Sequence, residues 1–407
     1  MIRSRVAFII RRLRSRLWIK PIGYAVAAVG SVFLAGACDA LDWQEYVLNI
    51  SDETIEKLLS VISASMLGVA TFAVTSMVSA YASASGRATP RAFALVISDG
   101  QTQTALSSFI GAFIFSVVGI IAIRVGSFGE VGRFALFVLT VLIFAWVVLT
   151  FVRWVDRIAR LGRLGNTIQK VDDAARDAFD QWPRSAPLGA RPSNDVPEGT
   201  EVFPDRIGFI QHVDMEALQQ WAEKSETRVH LLARPGAHVH PERPLLCVEG
   251  AAEDLDAARK TVLIDGERSF ATDPRFGLIV LSEIASRALS PAVNDPGTAI
   301  DIVTRMARIL HDWAGKEPVD PECDRVYVAP LNANDLLEDG FAALSKDGVG
   351  SVELGIWVQK SLGIVMRARD PDLRAAAERQ ARISADRAEA ALTFEPDRER
   401  MRRARAF

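Results

Sequence analysis

Cysteine is scarce in this 407-residue chain: Cys38, Cys247 and Cys323 are odd in number and far apart. That excludes a disulfide framework and any CxxC metal site, and it suits a reducing compartment. Charge of one sign is lacking too, with 47 basic residues against 50 acidic ones. No basic stripe with interleaved aromatics appears, so nothing points to nucleic acid. There is no GxSxG elbow, P-loop, HExxH or GxGxxG after a strand. The expectation is therefore a non-enzyme with no cofactor and no metal.

Charge is missing altogether from four stretches, Pro21–Cys38, Leu58–Gly86, Gln101–Ile123 and Phe134–Val152. A bilayer core takes about 20 apolar residues in a helix, and a helix satisfies its own backbone there. The fold class expected is a membrane protein, a four-helix α transmembrane part followed by an α+β cytoplasmic domain. The mean hydropathy of +0.16 conceals this split. In detail, 1–20 is a basic N-terminus and 21–155 holds helices near 19–39, 58–83, 104–124 and 133–153. A stalk helix and Pro/Gly-rich linker follow over 156–200, the α+β domain over 201–369, and a charged helical tail over 370–407.

Orientation follows from basic residues. Arg3, Arg5, Arg11, Arg12, Arg14, Arg16 and Lys20 precede the first span, and Asp39, Asp42, Glu45, Asp52, Glu53 and Glu56 follow it. Arg87 and Arg91 come after the second span; Arg153, Arg157, Arg160, Arg163 and Lys170 come at and after the last. The positive-inside rule puts both termini in the cytoplasm, in a bacterial inner membrane with the lipid bilayer as the first partner. Arg124 reads as an outer anchor, snorkelling or pairing with Glu130.

Span two carries a small, hydroxylated face: Gly68, Thr71, Thr75, Ser79 and Ser83, at spacings of three and four. Such a face suits close helix packing or, in a homo-oligomer, the lining of a pore. After it, Thr89-Pro90-Arg91 breaks the helix. Arg91 and Asp99 frame an apolar stretch that reads either as an ion-paired loop or as a coupling element to the domain below.

In the soluble part, Ile207–Val213 reads as a strand, Asp214 as the cap of a helix to Glu226, and Arg228–Ala233 and Pro244–Val248 as further strands. The intervening turn has no lysine at its tip to carry a prosthetic group. His212, His230, His238 and His240 lack acidic or thiol neighbours at ligand spacing and read as solvated or core residues. The densest signal is two Asp-Pro helix starts, at Asp273-Pro274 and Asp295-Pro296. Asp caps orphan N–H groups and Pro suits the first helical position. If the two starts lie close together, they make an anion site, with Arg268, Asp273, Arg287, Ser290, Asn294, Asp295 and Thr298 as candidate ligand-binding residues. Plain capping around a tight turn is the other reading.

With Thr89-Pro90-Arg91, the motifs Gly208–Asp214, Arg234-Pro235-Gly236, Glu267-Arg268-Ser269, Asp273-Pro274, Ala288-Leu289-Ser290-Pro291 and Asn294-Asp295-Pro296 complete a pattern. It resembles the bacterial membrane protein family called domain of unknown function 2254. Thr89 stands where that pattern commonly has serine, and Ser269 where it often has threonine. The resemblance implies four spans with this cytoplasmic domain and assigns no activity. The leading expectation is an oligomeric channel- or transporter-like protein gated by its cytoplasmic domain. The alternative is a membrane-anchored sensor or scaffold for a small anionic ligand, without transport.

Overall fold

The computed structural model describes residues 18–40, 48–87, 89–97, 100–126, 128–160, 163–250 and 253–406. The basic residues before Trp18, and Asp99, lie outside this set. The chain divides into two compact units: residues 6–87 with 93–167, and residues 88–92 with 168–407.

The first unit is helical. Its long helices are α1 (Ile19–Ala37), α2 (Asp52–Arg87), α4 (Gly100–Arg124) and α5 (Glu130–Arg160), with the short α3 (Pro90–Ile97) between the second and third. Each of the four long ones is long and apolar enough to cross a membrane. The apolar run of α4 is half buried, against 17–28 % for the other three. A helix that is hydrophobic all round belongs in the middle of a bundle, and α4 takes that place. Gly111 and Gly119 allow its close approach: a Cβ there would stand 3.2 Å from Tyr24 Cβ and 3.0 Å from Leu59 Cδ1. Phe115 and Leu136 fill one core cluster with Ile55 and Leu59. Phe109, Val147 and Trp154 fill a second with Ile62 and Met66.

Helix α2 starts six residues before its apolar run, and its acidic first turn has partners. Arg124 bonds Glu56 through Nε at 3.0 Å, so Glu56 and not Glu130 is its partner. The Asp39 carboxylate accepts from Gly129 N and Gly132 N, both at 2.7 Å, satisfying donors at the start of α5.

The second unit is mixed. The stretch expected as one stalk helix holds two, since α5 stops at Arg160 and α6 begins at Leu164 and runs to Asp180. The expected linker enters the sheet, with Ala186 and Ala190 buried, β1 (Ala190–Pro192) formed within it and β2 (Thr200–Val202) starting at its last residue. There follow β3 (Gly208–Val213), α7 (Met215–Lys224), β4 (Arg228–Leu231), β5 (His238–Val239), β6 (Leu246–Glu249), α8 (Leu255–Arg259) and β7 (Val262–Asp265). Next come α9 (Pro274–Ala288), α10 (Pro296–Ala314), β8 (Cys323–Val328), α11 (Ala333–Leu337), α12 (Ala343–Asp347), α13 (Val352–Val365), α14 (Pro371–Ala391) and α15 (Glu395–Arg403). Five strands form one sheet in the order β1-β8-β4-β6-β2, and β5-β3-β7 form a second, antiparallel one.

Both Asp-Pro starts are capped as the sequence leads one to expect. Asp273 accepts from Phe276 N and Asp295 from Thr298 N. Residues 370–407 are less solvated than their charge suggests. The alanine face of α14, including Ala377, Ala381 and Ala385, is fully buried, and Gln359 of α13 donates to Ala381 O.

Candidate functional site

Between the two sheets and the start of α9 lies a cavity of about 290 Å³. Its walls carry four arginines, Arg234, Arg243, Arg268 and Arg275, around the buried Asp273. The turn Arg234-Pro235-Gly236-Ala237 makes one wall. Ala237 N donates to Arg234 O at 2.9 Å, Pro235 holds the second place and Gly236 has φ +85°. That is a type II turn, which needs a left-handed residue at its third position. Glycine is required twice over, because a Cβ on Gly236 would collide with the Asp273 carboxylate. Gly236 N donates to Ile210 O at 2.7 Å, locking the turn to β3. The register of β3 slips around Gln211, whose carbonyl accepts from Thr272 Oγ1 at 3.1 Å. This bulge fastens the segment before α9 in place. Below it, the fully buried Trp182 donates from Nε1 to Thr272 O at 2.9 Å, and Trp313 Nε1 donates to Trp182 O at 2.7 Å.

The four arginines are held differently. Arg268 donates from Nε to Asp273 Oδ2 at 2.9 Å, with Nη2 2.7 Å from the same oxygen. Its guanidinium also lies 4.9 Å over the Phe276 ring. Arg275 is paired with Asp339 at 2.6 Å and Asp335 at 2.7 Å. Burial works against the Arg275 charge, but the bond to Asp339 and the charges of Asp339 and Asp335 outweigh it and raise its pKa. Among the described residues, Arg234 and Arg243 bond only carbonyl oxygens: Pro330 O at 2.9 Å and His238 O at 3.0 Å. Burial holds the Arg234 pKa below the ordinary arginine value and the Arg275 charge adds to that, with Asp335 and Asp273 pulling the other way. Asp273 is the converse case. Burial pushes its carboxyl up, more than the charge and hydrogen bond of Arg268 pull it down. The result is an electropositive pocket whose one buried carboxylate is itself held at a cost.

Of the ligand-binding candidates, the structure brings Arg268 and Asp273 into this cavity. The others lie elsewhere. Asp295, Thr298, Ser290 and Asn294 form the turn between α9 and α10, at the far end of α9. That helix has 15 residues, so about 22 Å of rise separates the two Asp-Pro starts. They do not converge, because the second start follows the C-terminus of the helix opened by the first. At that turn Ser290 Oγ donates to Arg287 O at 2.7 Å and Asp295 N to Ala288 O at 2.8 Å. Thr298 donates to Asp295 through N at 3.0 Å and Oγ1 at 2.6 Å. These bonds hold the Asp295 carboxyl below its ordinary value. Asn294 takes φ +49°, and Arg287 is exposed at the end of α9. This turn is capping chemistry.

Arg91 is ion-paired with Glu283 of α9, while Asp99 is outside the described residues. Along α2, Gly68, Thr71, Thr75 and Ser79 are exposed; Ile62, Met66, Ala70, Ala73 and Met77 make the buried face. The threonines bond their own helix, Thr71 to Leu67 O at 2.9 Å and Thr75 to Thr71 O at 3.1 Å. The side chain of Ser83 is outside the described set. Among the histidines, His230 is buried, stacks on Tyr327 at 4.7 Å and reaches Glu249 at 2.7 Å. His238 packs edge-on to Phe209. His240 accepts from Glu242 N at 3.3 Å, and His212 lies on β3.

Arg234, Arg243, Arg275 and Trp182 are site residues that sequence reasoning passed over. The signal available was Arg-Pro-Gly, a turn signature that places an arginine at a fixed angle to whatever packs on the glycine.

Comparison with known proteins places the chain without giving it an activity. It is 28 % identical over 143 residues to uncharacterized proteins MT1328 and Rv1290c of Mycobacterium tuberculosis (strains CDC 1551 and H37Rv) and Mb1321c of Mycobacterium bovis. That region covers 33 % of this chain and only 27 % of the length of these relatives. No solved structure matches. The family model described as "Predicted membrane protein (DUF2254)" matches residues 14–363, most of the sequence. The chain belongs to this family of predicted membrane proteins.

Proposed function

We propose that this protein spans a bacterial inner membrane four times, with both termini and the second unit in the cytoplasm, and that it senses a small anion in the arginine cavity. The topology rests on the four apolar helices and on basic residues at one end of them. The anion reading rests on one observation above all: Arg234 is largely removed from water beside Arg275, with no carboxylate in ion-pair contact among the described residues. A buried charge without a partner is expensive, and an oxyanion bridging Arg234, Arg243 and Arg268 removes that cost. Guanidinium groups bind carboxylate and phosphate in forked pairs. A space of 290 Å³ holds roughly ten waters' worth of volume, enough for phosphate or a small phosphomonoester.

Thermal unfolding of the detergent-solubilised protein tests this with inorganic phosphate, sulfate and glycerol phosphate as probes. An anion at about 100 times its Kd stabilises by about 2.7 kcal/mol. Wild type is expected to shift and Arg234→Ala is expected not to. Equal shifts in both, or none in wild type, remove the reading.

A second reading, a homo-oligomeric channel or transporter governed by the same domain, draws on the exposed hydroxyl face of α2. Reconstituted protein is then expected to pass ions or small solutes, with Thr75→Leu reducing the flux. Silent liposomes across a range of solutes count against it.

A further inference from the structure

A second cavity, of about 800 Å³, lies in the helical unit at the polar ends of α4 and α5. Thr102 and Thr104 of α4 line it, together with Trp146, Arg153, Trp154 and Arg157 of α5. Its floor is rigid. Trp154 is 4 % exposed and sits 6.0–6.2 Å from the rings of Phe151 and Phe109. Trp146 is fixed by its indole N–H, which donates to Ser108 Oγ at 3.2 Å. From α1, Lys20 donates to Thr104 Oγ1 at 3.3 Å and brings a third cation to this end. Among the described residues, Lys20, Arg153, Arg157 and Asp156 gather at the place where Thr102 opens one apolar span and Ile158 closes another.

From this geometry we infer that the cavity is a binding site for an anionic phospholipid, with the phosphate and headgroup on Arg153 and Arg157 and the upper acyl chains against Val152 and the tryptophans. The chemistry is matched at both ends. Trp sits at the headgroup level, where one edge of the ring is apolar and the other wet, and basic pockets between membrane helices take acidic headgroups. The volume exceeds what a free phosphate needs and leaves room for the glycerol and the first methylenes of the chains. The inference rests on the bilayer-spanning part of the function proposed above and is independent of the arginine cavity.

The test uses full-length, delipidated protein in neutral detergent, with native mass spectrometry and thermal unfolding as readouts. The probes are phosphatidylglycerol, phosphatidylcholine with the same acyl chains, and inorganic phosphate. Phosphatidylglycerol is expected to be retained as a bound adduct and to raise the unfolding temperature, while phosphatidylcholine does so weakly. Each basic residue near a headgroup strengthens anionic-lipid binding about fivefold, so Arg153→Ala with Arg157→Ala is expected to weaken it about thirtyfold. Arg268→Ala is expected to keep the full lipid response, which separates this site from the other. Equal retention of both lipids by wild type overturns the proposal without recourse to any variant. An undiminished response in the double variant overturns it as well. Protection by inorganic phosphate alone that is lost with Arg153 and Arg157 assigns the cavity to a free anion and overturns the lipid.

Discussion

Replacing Asp273 by Asn sets two opposing effects against each other inside the arginine cavity. The carboxylate is 2 % exposed and takes two contacts from Arg268 and one from Phe276 N at 3.2 Å. Hydrogen bonds to a charged group are each worth about 1.5–3 kcal/mol, whereas removing an ion from water costs several kcal/mol. The raised pKa of Asp273, caused first by burial, says that the second effect exceeds the first. Asn keeps the shape and remains a good helix cap. Asn leaves the Arg268 guanidinium without its counter-charge, a loss of about 3–5 kcal/mol for a fully buried pair. Arg268 keeps 21 % of its side-chain surface and the carboxylate was itself held at a cost, so the expected outcome at pH 7 is a destabilisation below about 3 kcal/mol. Anion binding responds in the opposite sense to a simple loss of site. One negative charge about 6 Å away contributes about 3 kcal/mol at an effective dielectric of about 20. Taking half of that for a cavity open to solvent gives about tenfold tighter phosphate binding. A pH series adds a third reading. A carboxyl whose folded pKa is raised above its ordinary, unfolded value contributes stability that is full below that value and lost as pH rises through the folded one. Wild type should show that component and Asp273→Asn should lack it. The assays are thermal unfolding, read through tryptophan fluorescence, and calorimetric titration with phosphate. Destabilisation by about 3 kcal/mol or more, or weaker phosphate binding, refutes the reasoning, because the pair with Arg268 would then outweigh the burial of its carboxylate.

Gly236→Ala should destabilise by about 2 kcal/mol, summing a left-handed residue and a displaced Asp273 cap; a denaturant midpoint equal to wild type would show that the turn can relax. Asp295 is the opposite case to Asp273. Its carboxyl is lowered by the Thr298 bonds, so its contribution is present above the unfolded value and lost as pH falls through the folded one. Asp295→Asn should flatten that acid limb while leaving phosphate binding unchanged, and an altered phosphate affinity would reopen the α9–α10 turn as part of the site. Trp313→Phe orphans the buried Trp182 carbonyl and should cost about 1–3 kcal/mol, seen as a lower unfolding temperature. A reporter enzyme fused after Phe407 should be active only if it works in the cytoplasm; activity of a periplasm-only reporter would reverse the topology.

The four helices were legible because each is a charge-free run of about the length a bilayer needs or more, and that signal is one-dimensional. The helix starts at Asp273 and Asp295 were equally legible, since Asp followed by Pro is a local instruction that any tertiary setting obeys. What failed was the step from two local signals to one site. Sequence proximity suggested that the two starts converge, and the intervening helix α9 carries them to opposite ends. Likewise the Pro/Gly content of 183–200 spoke for a linker, but Ala190–Pro192 pairs in parallel with β8 across more than 130 residues of chain, a partner that local composition does not encode. The charged tail fared similarly. Its alanines lie on one face of α14, and only packing against α13 distinguishes a buried small face from a solvated one.

The sequence by itself determined where apolar helices form, which end of them is basic, and where the helices of the second unit begin, because hydropathy, charge and capping act over a few residues. Only the tertiary structure decided that two stretches of the chain, 234–243 with Arg234 and Arg243 and 268–275 with Arg268, Asp273 and Arg275, share one cavity. That convergence depends on a bulge in β3 and a glycine turn against a carboxylate. Contacts of that kind exist only once segments distant in sequence have been packed together.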